Sequence, residues 1–258
     1  MPIIQVTERM MAIESSPRLT LVIPAFNERE CLPRLLDSVD EARGQYRHGP
    51  DRVQVIVADN ASTDGTGLLA ADRGCLVARV ERRAIAAARN GGARLARGEL
   101  LAFVDADMRI HPQTFDAIDA ALQSPRVVGG ATGVRLERWS LGVAATYALL
   151  IPGIWATGLD TGVVFCRRRD FEAIGGYREE MLCAEDVQFL LALRRRGKAA
   201  GQRLTRLRRV KALASMRKFD QFGEWHYFRM VAHAARCGLR GRAMSGFARR
   251  YWYDVRGG

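Results

Sequence analysis

The stretch "LLAFVDADM", residues 100 to 108, joins a continuously apolar run to two aspartates one residue apart. A short run that is apolar at every position is what a strand buried on both faces of a parallel sheet requires. Asp105 and Asp107 then stand where that strand would end, with no lysine or arginine between them. In open α/β sheets ligands bind beyond the carboxyl ends of the strands, so the pair marks an edge at which chemistry is expected.

Working outward, residues 19 to 104 alternate β-branched runs with helical periods, the pattern of βαβ units and a mostly parallel central sheet flanked by helices. "LTLVIP" (19 to 24) is the first expected strand, and Leu32, Leu35, Leu36 and Val39 follow at the spacing of one helical face. "VQVIVA" (53 to 58) is the second strand, and Asp64 is placed to cap the helix that Gly74 ends. "CLVARV" (75 to 80) is the third, and an alanine-rich helix from Ala84 to Ala96 stops at Gly98 before the opening stretch. Later come strand candidates "VVGGATGVRL" and "TGVVFCRR" (161 to 168). "AEDVQFLLALRRRGK" follows, a helix with acids in its first turn, arginines in its last and Gly197 as its stop.

No repeat, Gly/Ser linker or low-complexity tract divides the 258 residues. The chain reads as a leader (1–17), one α/β domain (18–214) and a basic, aromatic extension (215–258). The first residues lack the continuous apolar core of a secretory signal. Five cysteines without a C-x-x-C pair suit a reducing, cytoplasmic setting. The formal charge of +12 favours anionic partners. The basic run 194–218 has no aromatic residue until Phe219 and alternates with apolar positions, so it reads as a solvated face, not a nucleic-acid surface.

Residues 139 to 159, "WSLGVAATYALLIPGIWATGL", carry no charge and are just long enough to span a bilayer. Pro152 and several Gly and Thr residues dilute that hydrophobicity, so a soluble or peripheral membrane protein is expected.

The acidic positions each admit two readings. Asp105 and Asp107 read equally as a turn pair of solvated acids or as ligands of an oxygen-ligated cation, Mg²⁺ or Mn²⁺. Asp59 leaves strand two where a carboxylate can accept a nucleobase N–H or ribose hydroxyls, and Glu28 after strand one has the same ambiguity. Glu185 and Asp186 are helix-heading acids whose functional alternative is a general base. The histidines show no zinc spacing, and G-x-S-x-G, P-loop and dinucleotide motifs are missing.

In order, "VIPAFNE", "VADNASTDGT", "AARNGGARLARGELLAFVDADM" and "AEDVQFLLALRRRG" resemble the family-two glycosyltransferases of GT-A fold over residues 18 to 200. The resemblance implies a Rossmann-like GT-A domain that moves a sugar from a nucleotide-diphosphate sugar to an acceptor hydroxyl, inverting the anomeric centre with a divalent cation. It divides the domain into a nucleotide-binding half (18–108) and an acceptor half (109–214), and places Pro24, Ala25, Asn27, Glu28 and Asp59 around the nucleotide, with Arg89 nearby. It makes Asp105 and Asp107 the metal ligands, and Asp186 the base with Glu185 in support.

The segment "SMRKFDQFGEWHYF" (215 to 228) resembles the C-terminal part of small members, which implies that Arg217 and Lys218 close over the diphosphate and His226 or Trp225 completes the site. Family habit implies a UDP-sugar before a GDP-sugar. The acceptor, a lipid-linked carrier among the options, and a homodimer stay open, as does the role of 139–159. No Q-x-x-R-W motif of processive synthases is present. A sugar nucleotidyltransferase and a noncatalytic scaffold that binds membrane or protein are the competing readings.

Overall fold

In a computed structural model, which describes residues 16–138, 161–181 and 185–217 and positions 145, 148, 220 and 223, one eight-stranded sheet runs through the molecule. Its first half is β1 (Leu19–Ala25), β2 (Val53–Asp59), β3 (Leu76–Arg79) and β4 (Leu100–Phe103), paired in parallel in the order β3-β2-β1-β4. The expected strands are therefore present, and β1 and β4 are buried at every position. Alternate side chains of β1 enter different cores. Leu21 and Ile23 pack with Leu35, Ala102 and Phe115, whereas Val22 joins Ile56, Phe103 and Phe189 on the opposite face. Each such fully buried side chain contributes about 1.5–3 kcal/mol, which fixes the strand register.

Helices α1 (Leu32–Gln45), α2 (Thr66–Asp72) and α3 (Ile85–Arg94) connect these strands. Two boundaries differ from the sequence reading. The N-cap of α2 is Gly65 at φ 85°, and Asp64, one residue earlier, accepts the Thr66 backbone N–H at 2.9 Å in an Asx turn. Helix α3 ends at Arg94, short of Gly98, because an added Cβ at Gly98 would meet the Leu19 carbonyl carbon at 2.7 Å: the chain there is already passing β1.

The second half of the sheet is mixed. A two-residue strand β5 (Met108–Arg109) and helix α4 (Thr114–Gln123) lead to β6 (Val127–Leu136). β7 (Val164–Arg167) runs antiparallel to both β4 and β6. Short helix α5 (Arg168–Ala173) and the longer α6 (Glu185–Ala199) precede β8 (Arg203–Ala214), which pairs in parallel with β6 and antiparallel with β5. The α/β class and largely parallel sheet match the sequence reading.

Register brings the site together. Ala25 lies opposite Asp59, the Asn60 N–H donates to the Ala25 carbonyl at 2.8 Å, and the Val104 N–H donates to Val22 at 3.2 Å. The carboxyl ends of β1, β2 and β4 thus share one edge. No described helix is long and apolar enough to cross a membrane.

Candidate active site

Beyond β1 the chain turns at Asn27, whose φ of 50° lies in the left-handed region that asparagine tolerates. Its side-chain oxygen accepts the Thr63 N–H at 2.9 Å, and its own N–H donates to Ser62 Oγ at 3.1 Å, which ties the β1 loop to the β2 loop. Glu28 is buried, its N–H donates to Thr66 Oγ1 at 2.9 Å, and its Oε1 accepts from Arg217 at 2.8 Å. Asp59 turns back on its own loop and accepts the Ser62 N–H at 3.0 Å.

A cleft between these loops is lined by Pro24, Ala25, Phe26, Glu28, Asn60, Ile85, Ala88, Asp105, Ala106 and Asp107. Pro24, Ala25, Glu28, Asp105 and Asp107 therefore meet at one cleft. Asn27, Asp59 and Arg89 are not among the lining residues: Asn27 and Asp59 bond to the β2 loop, and Arg89 contacts Asp105. At the cleft's mouth the Arg83 guanidinium stacks 4.0 Å over the Phe26 ring.

Asp105 and Asp107 occupy a tight turn, in which the Met108 N–H donates to the Asp105 carbonyl at 3.1 Å. Ala106 between them is buried, so the two carboxylates flank it. The turn reading and the ligand reading are thus compatible. Two hard oxygen donors at this edge fit a Mg²⁺- or Mn²⁺-type cation that completes its shell with substrate phosphate and water. Among the described residues no group of three His, Cys, Asp or Glu side chains is arranged to hold a metal by itself. The Asp107 carboxylate also lies 3.9 Å from Arg217, and its carbonyl accepts the Ser215 N–H at 3.2 Å, so β8 delivers Arg217 to the turn.

Arg89 is the centre of a second cluster. It projects from α3 with only 3% of its side chain exposed, and contacts Asp105 at 2.8 Å, Glu185 at 2.9 Å and Asp186 at 3.0 Å. Burial opposes its charge, but Asp186, Asp105, Tyr177 and Glu185 hold its pKa well above the ordinary value. Asp186 is pushed up to about 7: burial is the largest cause, Arg89 pulls it down, Asp105 and Glu185 repel it, and the Tyr177 O–H favours the ionised form. Three carboxylates thus share the one Arg89 guanidinium.

Tyr177 carries no signal in the sequence that separates it from a core aromatic. Its O–H donates to Asp186 at 3.1 Å, its ring stacks on Phe189 with centroids 4.2 Å apart, and Arg89 sits 5.0 Å above its centroid. The Asn90 side chain clamps it at the backbone, accepting the Tyr177 N–H at 2.9 Å and donating to the Tyr177 carbonyl at 2.9 Å. The "RN" of α3 thus fixes both the acids and the loop that orients one of them. Lys218, Trp225 and His226 lie outside the described residues.

A sequence model described as glycosyl transferase family 2 matches residues 20–157, more than half of the chain. The polyprenol monophosphomannose synthase of Mycolicibacterium smegmatis is 31% identical over 184 residues, covering 63% of this chain and 66% of that protein. The chain spans from about a quarter to about two thirds of the length of the curated relatives it matches. Among solved structures, S. aureus TarS superposes with a TM-score of 0.60 at 19% identity, over 78% of this chain and 61% of that one. Glucosyl-3-phosphoglycerate synthase from Mycobacterium tuberculosis, in complex with Mn²⁺, UDP and glucosyl-3-phosphoglycerate, superposes at 0.56 and 19% identity over 88% and 82%. At such identities the likeness is one of fold, and it matches the GT-A arrangement.

Proposed function

Because the chain belongs to glycosyl transferase family 2, we propose that it moves a glycosyl group from a nucleotide-diphosphate sugar to an acceptor hydroxyl. The observation that carries this reading is the meeting of two acidic sets at one strand edge: Asp105 and Asp107 on the cleft, and Asp186 with Glu185 across the Arg89 guanidinium.

In this reading Pro24, Ala25 and Glu28 receive the nucleotide, while Asn27 and Asp59 hold the loops that shape its pocket. Asp105 and Asp107 would hold a divalent cation, with His226 as a further ligand, and such an ion neutralises charge on a departing diphosphate. Arg217, already bonded to Glu28 and close to Asp107, supplies positive charge at the same place, and Lys218 follows it in sequence.

Asp186 accepts the acceptor's hydroxyl proton. As the new oxygen–carbon bond forms at the anomeric carbon, the bond to the diphosphate oxygen breaks and its electrons leave with the diphosphate. In-line displacement of this kind inverts the centre. Arg89 holds Asp105 and Asp186 together, which places the proton acceptor beside the site proposed for the leaving anion. The donor is a UDP- or a GDP-sugar, since structurally similar enzymes are in complex with UDP and with GDP-Man. A lipid-linked acceptor is favoured by the polyprenol relative, and a cytoplasmic location suits both substrates.

The test is a panel of UDP-, GDP- and dTDP-sugars, with release of the nucleoside diphosphate as readout. At least one donor is expected to turn over, chelation to stop it and Mn²⁺ or Mg²⁺ to restore it, and Asp107→Ala to abolish it. Asp186→Asn is expected to bind that donor in calorimetry with kcat lowered about 10²- to 10⁴-fold. Silence across the panel, with no nucleotide bound, would sink the transferase reading.

A further inference from the structure

We infer that the bulge in β8 formed by Arg208, Arg209 and Lys211, together with Arg135 of β6, is a docking surface for an anionic lipid bilayer. Between the pairs Thr132–Leu207 and Val134–Ala212 the chain takes two steps along β6 but five along β8, so the segment 208–211 loops out of the ladder. Val210 is buried and anchors the bulge, while Arg208, Arg209 and Lys211 are exposed. Arg135, exposed on β6, is the register partner of Leu213 and adds a fourth cation beside them.

The surface lacks counter-charge. No aspartate or glutamate occurs in the sequence between Asp186 and Asp220. Among the described residues the nearby Glu137 is already held by Arg109 at 2.7 Å and Arg34 at 2.9 Å, and none of the four cations meets an acidic side chain. A strand whose exposed side presents unneutralised arginine and lysine is complementary to a surface of fixed negative charge.

Two features favour a bilayer over a nucleic acid. Residues 190–218 contain no aromatic side chain, so the run offers no platform on which bases could stack. Leu136, which ends β6, is paired with Ala214, and the chain leaves that point after Glu137 and Arg138 into the uncharged sequence 139–159, which includes Trp139, Tyr147 and Trp155. Apolar sequence with tryptophan and tyrosine, attached beside a cationic patch, is the composition of a membrane-interface contact.

The placement also has a consequence for the site. Lys211 lies four residues, about 13 Å along an extended strand, from Ser215, whose N–H bonds to Asp107. A bilayer held at the bulge would lie within reach of the cleft's edge. The inference goes beyond the transfer reaction and is read without any donor, so its failure and that of the transferase reading are separable.

The full chain is sedimented with sucrose-loaded vesicles of phosphatidylcholine alone, or with one third phosphatidylglycerol, at physiological salt. Binding is expected only with the anionic lipid and is expected to weaken as salt rises. R208Q, R209Q and K211Q are each expected to weaken it about fivefold, and the triple variant roughly a hundredfold. Unchanged melting temperatures would exclude misfolding, and the single variants keep the test decisive should the triple variant fail to fold. Removing Arg195, Lys198 and Arg203 instead is expected to change binding less than about threefold. Equal binding to neutral vesicles would overturn the inference, as would equal loss in the two triple variants, or a preference for single-stranded oligonucleotide over anionic vesicles.

Discussion

An aspartate held at about 7 changes its charge in the range where a transferase works, and the hydroxyl of Tyr177 helps to set where that happens. If Asp186 is the base, as proposed, it must be ionised, so the acid limb of the kcat profile is expected near pH 7 and not in the ordinary carboxylate range. Tyr177 donates to the ionised form, so Tyr177→Phe should move that limb to higher pH, by up to about one unit, with the ring packing kept. A profile that stays in place would remove Tyr177 as the group that positions the base. By linkage, the raised pKa makes the fold tightest below the ordinary carboxylate range, a margin lost as pH rises through 7. At this scale the sequence was legible where chemistry follows a strand directly, as at Asp105 and Asp107. The resemblance named Arg89 but not its burial, because an arginine is expected at the surface and this one is buried among acids brought in from the ends of β4 and α6.

Helix α3 carries Arg89 into that cluster, and a pair of glycines lets it lie close enough. A Cβ at Gly92 would meet Val22 Cγ1 of β1 at 2.4 Å and Ala58 Cβ of β2 at 3.4 Å. Both strands are buried there, so the helix and not the sheet must give way. Gly92→Ala is expected to destabilise the fold by about 1–3 kcal/mol, lowering Tm by roughly 3–10 °C. Arg89 stands three residues earlier on the same helix, so kcat/KM for the donor should fall about tenfold or more. Native melting with full activity would show that α3 can shift without disturbing the site. In the sequence these glycines are a pair without a dinucleotide fingerprint, and only the packing gives their reason. Strands β1 and β4 were readable because burial at every position leaves a nearly continuous apolar run, and β2 and β3, less completely buried, were readable by their β-branched residues. β8 was harder: its exposed side is arginine and lysine, so the alternation of a strand resembles a charged, solvated stretch.

Across the whole molecule, a chain position near the end of the sheet reaches back to the loop after its first strand. Arg217 follows β8 and Glu28 follows β1, yet their side chains meet at 2.8 Å, with Glu28 only 3% exposed. The sequence resemblance placed both near a nucleotide; it did not join them to each other, since a pairing over so long a separation depends on the complete order of strands. This contact ties the edge that carries the cleft to the mixed half of the sheet, so its strength should appear in folding and, in the proposed function, in donor binding. A double-mutant cycle with Arg217→Ala, Glu28→Gln and the pair tests it. Arg217→Ala alone leaves a buried carboxylate without that partner and should lower stability by about 3 kcal/mol, more than Glu28→Gln, which removes the charge itself. The pair should be less harmful than the two effects added, with a coupling of about 0.5–3 kcal/mol. Calorimetry separates the second role: if Arg217 also meets the diphosphate, donor affinity in the pair stays weak even where the fold is recovered. Additive effects on stability would mean that the two ends of the chain are held at the site by other contacts.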